Sequence, residues 1–287
     1  MGGYSSKLFS LKFGMLSIAF AAGVVMLMDL RKPGGTEGLN RKGIDVVVAL
    51  DVSKSMLATD LAPDRLERAK QLIGKLMNSM PNDRIGLVLF AGKAYLQMPL
   101  TTDHGAAGMF VSSASPDAVP QQGTVISEAL KRSGNAFNAA ERRFKTVILI
   151  SDGEDHDAEA VTTAKELAVQ GMMINTIGVG SPEGSYIPDS VTGENKIDPA
   201  TGASVISKLN EDVLKQIAAT TNGIYIHLQE SDEAVRQLQQ QLSQIEAKAF
   251  GDVSLMNFKA YYWWFAAAML ILLLAEYFIP ETKKAKP

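Results

Sequence analysis

Short runs of aliphatic and β-branched residues recur along the middle of the chain with almost no polar interruption. They occupy residues 44–50 (IDVVVAL), 85–90, 146–150 and 173–179, with a shorter run at 223–227. Unbroken runs of this kind predict strands buried on both faces, where alternation would predict strands with one wet face. Between them the apolar period lengthens. Leu66, Ala69, Leu72, Ile73, Leu76 and Met77 repeat at helical spacing behind Pro63, a residue suited to a first helical turn. Ala158, Val161, Ala164, Leu167 and Ala168 repeat likewise until Gly171, and Val213, Leu214, Ile217 and Ala218 mark another helix. The last amphipathic helix carries Val235, Leu238, Leu242 and Ile245 behind Ser231, a cap candidate. This alternation predicts an α/β fold, a doubly wound and mostly parallel central sheet with helices on both faces.

The two ends follow a different pattern. Residues 8–29 are largely apolar and carry no charge apart from Lys12 and Asp29, and residues 261–279 open with the aromatic belt YYWWF before AAAMLILLLA. Roughly 20 helical residues cross a bilayer, so both segments read as transmembrane helices, the second more clearly. Ala19-Phe20-Ala21 has the form of a signal-peptide cleavage site, but the apolar run continues through Met28, which favours an uncleaved anchor. The glycine-rich stretch 30–42 reads as a flexible linker, 43–247 as the folded domain, 248–260 as a connector and 280–287 as a basic tail. Turn signals crowd residues 185–205, which predicts a protruding hairpin inside the domain.

Composition narrows the function classes. A formal net charge of -3 and the absence of a basic cluster argue against a nucleic-acid partner. No cysteine is present, so disulfides, thiolate metal sites and a cysteine nucleophile are excluded.

The chemistry-bearing residues stand just beyond the buried runs. Asp51-Val52-Ser53-Lys54-Ser55 follows the first run, and Asp152 follows the run ending at Ile150. In open α/β sheets ligands bind outside the carboxyl ends of the strands. One carboxylate and two hydroxyls in a tight loop, with a second carboxylate from a neighbouring strand, make an oxygen-rich set suited to a hard cation. Thr124, in Gln122-Gly123-Thr124, adds a hydroxyl at the head of a helix whose inner face is Ile126, Ala129 and Leu130.

In order and spacing, Asp51, Ser53, Ser55, Thr124 and Asp152 resemble the metal ion-dependent adhesion site of von Willebrand factor A (VWA) domains. The resemblance covers about residues 43–228. Within that superfamily ALDVSKSMLATDLAPDRLERAK, DRIGLVLFAGKAYLQMPLTTD, QGTVISEAL, LISDGEDH and TIGVGSPEGSYIP are similar to the bacterial aerotolerance-operon (Bat-type) membrane proteins. The resemblance implies a Mg²⁺ site, with Mn²⁺ or Ca²⁺ as alternatives, in which Ser53, Ser55 and Thr124 contact the metal and Asp51 and Asp152 hold it directly or through water. It also implies partner proteins that present an Asp or Glu to the metal, among them other VWA proteins and a MoxR-type AAA+ ATPase. The implied location is the bacterial inner membrane with the VWA domain in the periplasm; lysines and arginines flank both sides of the spans and do not themselves orient the chain. One apolar segment before the domain, where some Bat-type relatives have two, is a departure that concerns topology.

Other signals read as structural. GLVLFAGK at 86–93 has its second glycine misplaced for a phosphate loop, with Ala94 where a hydroxyl is needed. Gly178-Val179-Gly180 reads as a turn. The acids of Glu154-Asp155-His156-Asp157 read as complements to the positive end of the following helix. His104 and His227 lack ligand spacing, and no hydrolase motif is present. The leading expectation is thus a noncatalytic, metal-dependent interaction module. A metal-dependent hydrolase and a scaffold with a merely stabilising metal are its rivals.

Overall fold

The computed structural model describes residues 6–28, 31–33, 44–138, 144–155, 159–189, 194–198, 201–251 and 258–279. It divides into two compact units, one of Met1–Asn40 with Asp252–Pro287, the other of Arg41–Gly251.

The first unit begins with α1 (Ser6–Leu27) and β1 (Arg31–Pro33). The second runs β2 (Asp45–Asp51), α2 (Arg65–Ser79), β3 (Arg84–Phe90), β4 (Ala94–Thr101), α3 (His104–Ser112), α4 (Ile126–Asn135), β5 (Lys145–Ser151) and α5 (Ala160–Val169). It continues with β6 (Met173–Gly178), β7 (Ser185–Tyr186), β8 (Ile206–Ser207), α6 (Glu211–Thr220), β9 (Tyr225–His227) and α7 (Ser231–Gly251). The chain then returns to the first unit through β10 (Phe258–Ala260) and α8 (Tyr262–Phe278).

The buried runs form one six-stranded sheet in the order β4-β3-β2-β5-β6-β9, parallel except for β4. Because side chains alternate across a strand, β2 serves two cores at once. Val46, Val48 and Leu50 pack with Leu66, Leu72, Ile73 and Leu76 of α2 and Leu238 of α7. Val47 and Ala49 pack on the other face with Ile126 and Leu130 of α4, Ala164 of α5 and Ile217 of α6. The doubly wound architecture expected from the sequence is therefore the one observed.

Several local readings are corrected. Pro63 lies ahead of the first turn of α2; Asp64 is the cap, its carboxylate accepting from Glu67 N at 2.7 Å. The sequence pattern missed β4 and α3. β4 is an edge strand with half of its side chains exposed and Pro99 inside it, which an edge tolerates because one row of N–H groups needs no partner. The expected hairpin is present in part: β7 pairs with β8, and bridges join Pro188 to Asn195 and Ile197 to Ser204. Parts of the linker and connector pair instead of standing free, since β1 and β10 form an antiparallel ladder with Arg31 opposite Ala260.

In the first unit, residues Ser10–Leu27 are long and apolar enough to cross a membrane. The C-terminal helix, expected to be the clearer span, is shorter: the 17 residues of α8 extend about 25 Å, against a hydrocarbon core of about 30 Å. Lys12 Nζ of α1 meets Glu276 Oε1 of α8 at 3.1 Å, so each charge is partnered.

Sheet order on the β9 side depends on a close backbone approach. Asn175 donates to Thr146 Oγ1 and accepts from Ile224 N, and Thr221 Oγ1 accepts from Ile174 N. A Cβ on Gly223 would stand 1.9 Å from Ile174 O. Gly223→Ala is expected to cost about 2 kcal/mol or more, a melting-temperature fall of roughly 5 °C or more. Gly74→Ala, in α2 with open space around it, is expected to match or exceed wild type, since alanine favours a helix by about 1 kcal/mol. Equal melting temperatures for wild type and Gly223→Ala in thermal denaturation would contradict this packing.

Candidate metal centre

The parallel pairing of β2 with β5, Leu50 opposite Ile150, brings Asp51 and Ser151 side by side at the carboxyl end of the sheet. Asp51 is fully buried. Its Oδ2 accepts from Ser151 Oγ at 2.7 Å and its Oδ1 from Ser53 N at 2.8 Å. The chain then enters a 3-10 turn, Lys54–Leu57, which brings Ser53 Oγ within 2.9 Å of Ser55 Oγ. Two hydroxyls and a carboxylate thus gather within five residues, all buried.

Thr124, also buried, arrives on a third loop. Val125 N donates to Ala91 O at 2.9 Å, beside the end of β3, while Val52 N donates to Phe90 O from the end of β2. Ile126 N donates to Asp155 Oδ1 at 3.2 Å, fastening the head of α4 to the loop after β5. That same loop carries Asp152, again fully buried. Asp152 Oδ2 accepts from Arg65 Nη1 at 3.1 Å and Ser207 Oγ at 3.2 Å, and Oδ1 accepts from Glu154 N at 3.2 Å.

Burial first, and then the charge of Asp152, push the Asp51 carboxyl up to about 7, against the hydrogen bonds from Ser151 and Ser53. Burial also raises Glu154, which accepts from Lys208 N at 2.7 Å. Burial would raise Asp60 as well, but hydrogen bonds from Arg65 and Ser181 N together with the Arg65 charge hold it below the usual carboxylate range. Among the described residues, Asp60 and Asp152 share one guanidinium, that of Arg65. Among the described residues no group of three or more His, Cys, Asp or Glu side chains clusters as a metal site. The donors on offer here are carboxylates mixed with neutral hydroxyls, a set that fits a hard divalent cation.

The acids after Asp152 have other roles than expected. Asp155 serves the head of α4 rather than the following helix, and Glu154 serves the backbone at Lys208; α5 has no acid in its first turn. His156 and Asp157 lie outside the described residues. His104 places both ring nitrogens on the carbonyls of Met77 and Asp83, and His227 Nε2 lies 2.8 Å from Gly180 O, so each ties backbone together. Reasoning from sequence missed Arg65, Asp60, Ser151 and Ser207. Arg65 alone carried a signal: a cation in the first turn opposes the positive end of a helix, which points to a carboxylate partner elsewhere.

The raised Asp51 carboxyl has a signed consequence. Its folded value lies above its unfolded one, so in metal-free protein its contribution to stability is lost as pH rises from the usual carboxylate range through about 7. In chelator, the stability of wild type relative to Asp51→Asn is expected to fall steadily from pH 4.5 to pH 7.5, measured by thermal denaturation. A difference that stays flat across that window would contradict the buried, like-charged environment.

The comparisons with known proteins agree with this architecture. Residues 46–154 match the family model of the von Willebrand factor type A domain. An aerotolerance-related membrane protein from Bacteroides fragilis is 39% identical, with a TM-score of 0.68 over 70% of this chain and 100% of that one. BatB from Bacteroides thetaiotaomicron is likewise 39% identical, with a TM-score of 0.69 over 71% of this chain and 100% of that one. Proximal thread matrix protein 1 from the mussel byssus, solved with a zinc-occupied MIDAS motif, shares the fold at 17% identity and a TM-score of 0.51, over 76% of this chain and 47% of that one. The chain spans 52–63% of the length of the first curated relatives it matches, proteins of Mycolicibacterium paratuberculosis and Borreliella burgdorferi 26–28% identical to it. With 39% identity over the whole of both solved Bacteroides chains, this protein belongs to the family of aerotolerance-related, BatB-type proteins that carry a von Willebrand factor type A domain.

Proposed function

We propose that the protein is a membrane-anchored, noncatalytic interaction module of the bacterial cell envelope that binds its partners through a divalent cation. Asp51, Ser53, Ser55, Thr124 and Asp152 hold the cation; Mg²⁺ is the expected ion, with Mn²⁺ and Ca²⁺ as alternatives. A bound cation would supply an electrophilic position open to an anionic oxygen. The observation that carries this reading is the pair of buried carboxyl groups, Asp51 and Asp152, set with neutral hydroxyls at the carboxyl end of the sheet, where α/β proteins bind ligands. The zinc-occupied motif of the mussel protein supports the assignment of a metal to this fold position.

The role of each side chain follows from its setting. Ser53 and Ser55 keep their hydroxyls together and add no charge, so a cation here would keep most of its own charge for an incoming ligand. Thr124 comes from a separate loop, which Val125 N fastens to Ala91 O beside the end of β3. A partner that offers Asp or Glu gains a charged oxygen contact that Asn or Gln cannot match. Other VWA proteins and a MoxR-type AAA+ ATPase are the partners that the family suggests. The apolar helix Ser10–Leu27 and the description of the B. fragilis relative as a membrane protein support membrane anchoring; the inner membrane, with the VWA domain in the periplasm, is the location that the family suggests. A hydrolase would need a general base aimed at a reaction point; here Glu154 and Asp155 accept from the backbone of Lys208 and Ile126.

The test is the affinity of the full chain, in detergent micelles, for each protein that copurifies with it from native membranes. Chelator, Ser53→Ala and Thr124→Ala are each expected to weaken binding about tenfold or more, while the partner's recognised Asp or Glu changed to Asn or Gln has a similar effect. Unchanged affinity in all of these for every partner would leave the scaffold reading in its place.

A further inference from the structure

Arg65 is the largest fully buried side chain of the described residues. All three of its guanidinium nitrogens are engaged. Nε and Nη2 meet the two oxygens of Asp60 at 2.8 and 2.7 Å, and Nη1 meets Asp152 Oδ2 at 3.1 Å and Ser207 Oγ at 2.7 Å. Nη2 also reaches Ser207 O at 3.1 Å. Asp60 is held in turn by Ser181 N at 2.7 Å. The guanidinium lies against the backbone at Gly180, whose φ of +124° suits glycine and where a Cβ would stand 2.6 Å from Cζ and Nε. One buried cation therefore fastens the loop after β2, the loop after β5, the loop after β6 and the hairpin strand β8.

We propose that Arg65 is a resident cation of the metal centre, which holds Asp152 in place without metal and lowers the affinity of the site for a divalent ion. The inference rests on the reading that the site takes such an ion. Burying Asp152 beside Asp51 with no counterion would set two like charges against each other away from water. Arg65 and Ser207 take up Asp152 Oδ2, whereas among the described residues Asp51 is held by Ser151 Oγ and Ser53 N and by no cationic side chain. A divalent ion held by these residues would find the Asp152 carboxylate already shared with a guanidinium and would be repelled by that guanidinium. The result is a site that folds without metal and exchanges it readily. Arg65 is a positioning residue in this scheme; it touches Asp152 and no ligand.

The direction of the effect separates this role from a purely structural one. Mn²⁺ serves as the probe, titrated into the full chain in detergent micelles and followed by loss of the free-ion electron paramagnetic resonance signal. Arg65→Gln is expected to bind Mn²⁺ about tenfold more tightly than wild type, while its melting temperature in chelator falls. Arg65→Lys, which keeps the charge without the fork, is expected to stay within about threefold of wild type. Unchanged or weaker binding by Arg65→Gln overturns the proposal, because loss of mere support for the site cannot tighten it. If Arg65→Gln fails to fold, Ser207→Ala decides: it removes one donor from Asp152 Oδ2 without unpairing a buried charge. Tightening of about threefold supports the proposal and unchanged or weaker binding overturns it. Wild type binding Mn²⁺ no better than Asp51→Ala is a different failure, that of the metal site itself.

Discussion

Charge withdrawn from water at the carboxyl end of the sheet governs the arrangement of the second unit. Asp51, Asp152 and Arg65 are fully buried, and a buried charge persists only with partners close by. Each partner comes from a different part of the chain. Asp51 is held by Ser151 and Ser53, Asp152 by Arg65, Ser207 and Glu154 N, and Arg65 by Asp60 and Ser207. Satisfying these groups fixes the loops after β2 and β5, the start of α2 and the base of the hairpin. The sheet supplies the platform, and the paired strand ends bring the two carboxylates near each other.

The same rule operates in the first unit. A lysine and a glutamate in apolar helices are costly alone and acceptable together, and Lys12 and Glu276 stand 3.1 Å apart. Their pairing lets α1 extend its apolar stretch past Lys12. It also joins helices that lie at opposite ends of the chain, as does the ladder between β1 and β10.

Much of the fold was legible because a doubly buried strand leaves a strong mark: IDVVVAL and its counterparts have no wet face to decorate. Where that condition lapses, so does the signal. β4 lies at the edge, exposes half of its side chains and contains Pro99, and α3 buries only Ala107 and Val111. Asp51, Ser53, Ser55 and Asp152 stand out in the sequence because hydroxyls and carboxylates right after buried strands have few structural reasons to be there, whereas Thr124 shows only as a hydroxyl at the head of a helix. Their support does not stand out. Arg65, Asp60 and Ser207 lie 87, 92 and 55 positions from Asp152 in the chain, and only the crossing of α2 and the hairpin over the strand ends brings them to it. The acids after Asp152 were misassigned for a related reason: proximity in sequence pointed to α5, whereas the folded loop presents Asp155 to α4.

In the proposed function this site would capture a carboxylate reversibly through its cation. The position of that cation is the decisive point. Crystals of the protein grown with Mn²⁺, and diffraction recorded at the manganese absorption edge, test it most directly. The account predicts one strong anomalous peak within coordination distance of the oxygens of Ser53, Ser55 and Thr124, with Asp51 and Asp152 bound directly or through water. A fully occupied peak elsewhere with none at these residues, or no peak at saturating Mn²⁺, would contradict it.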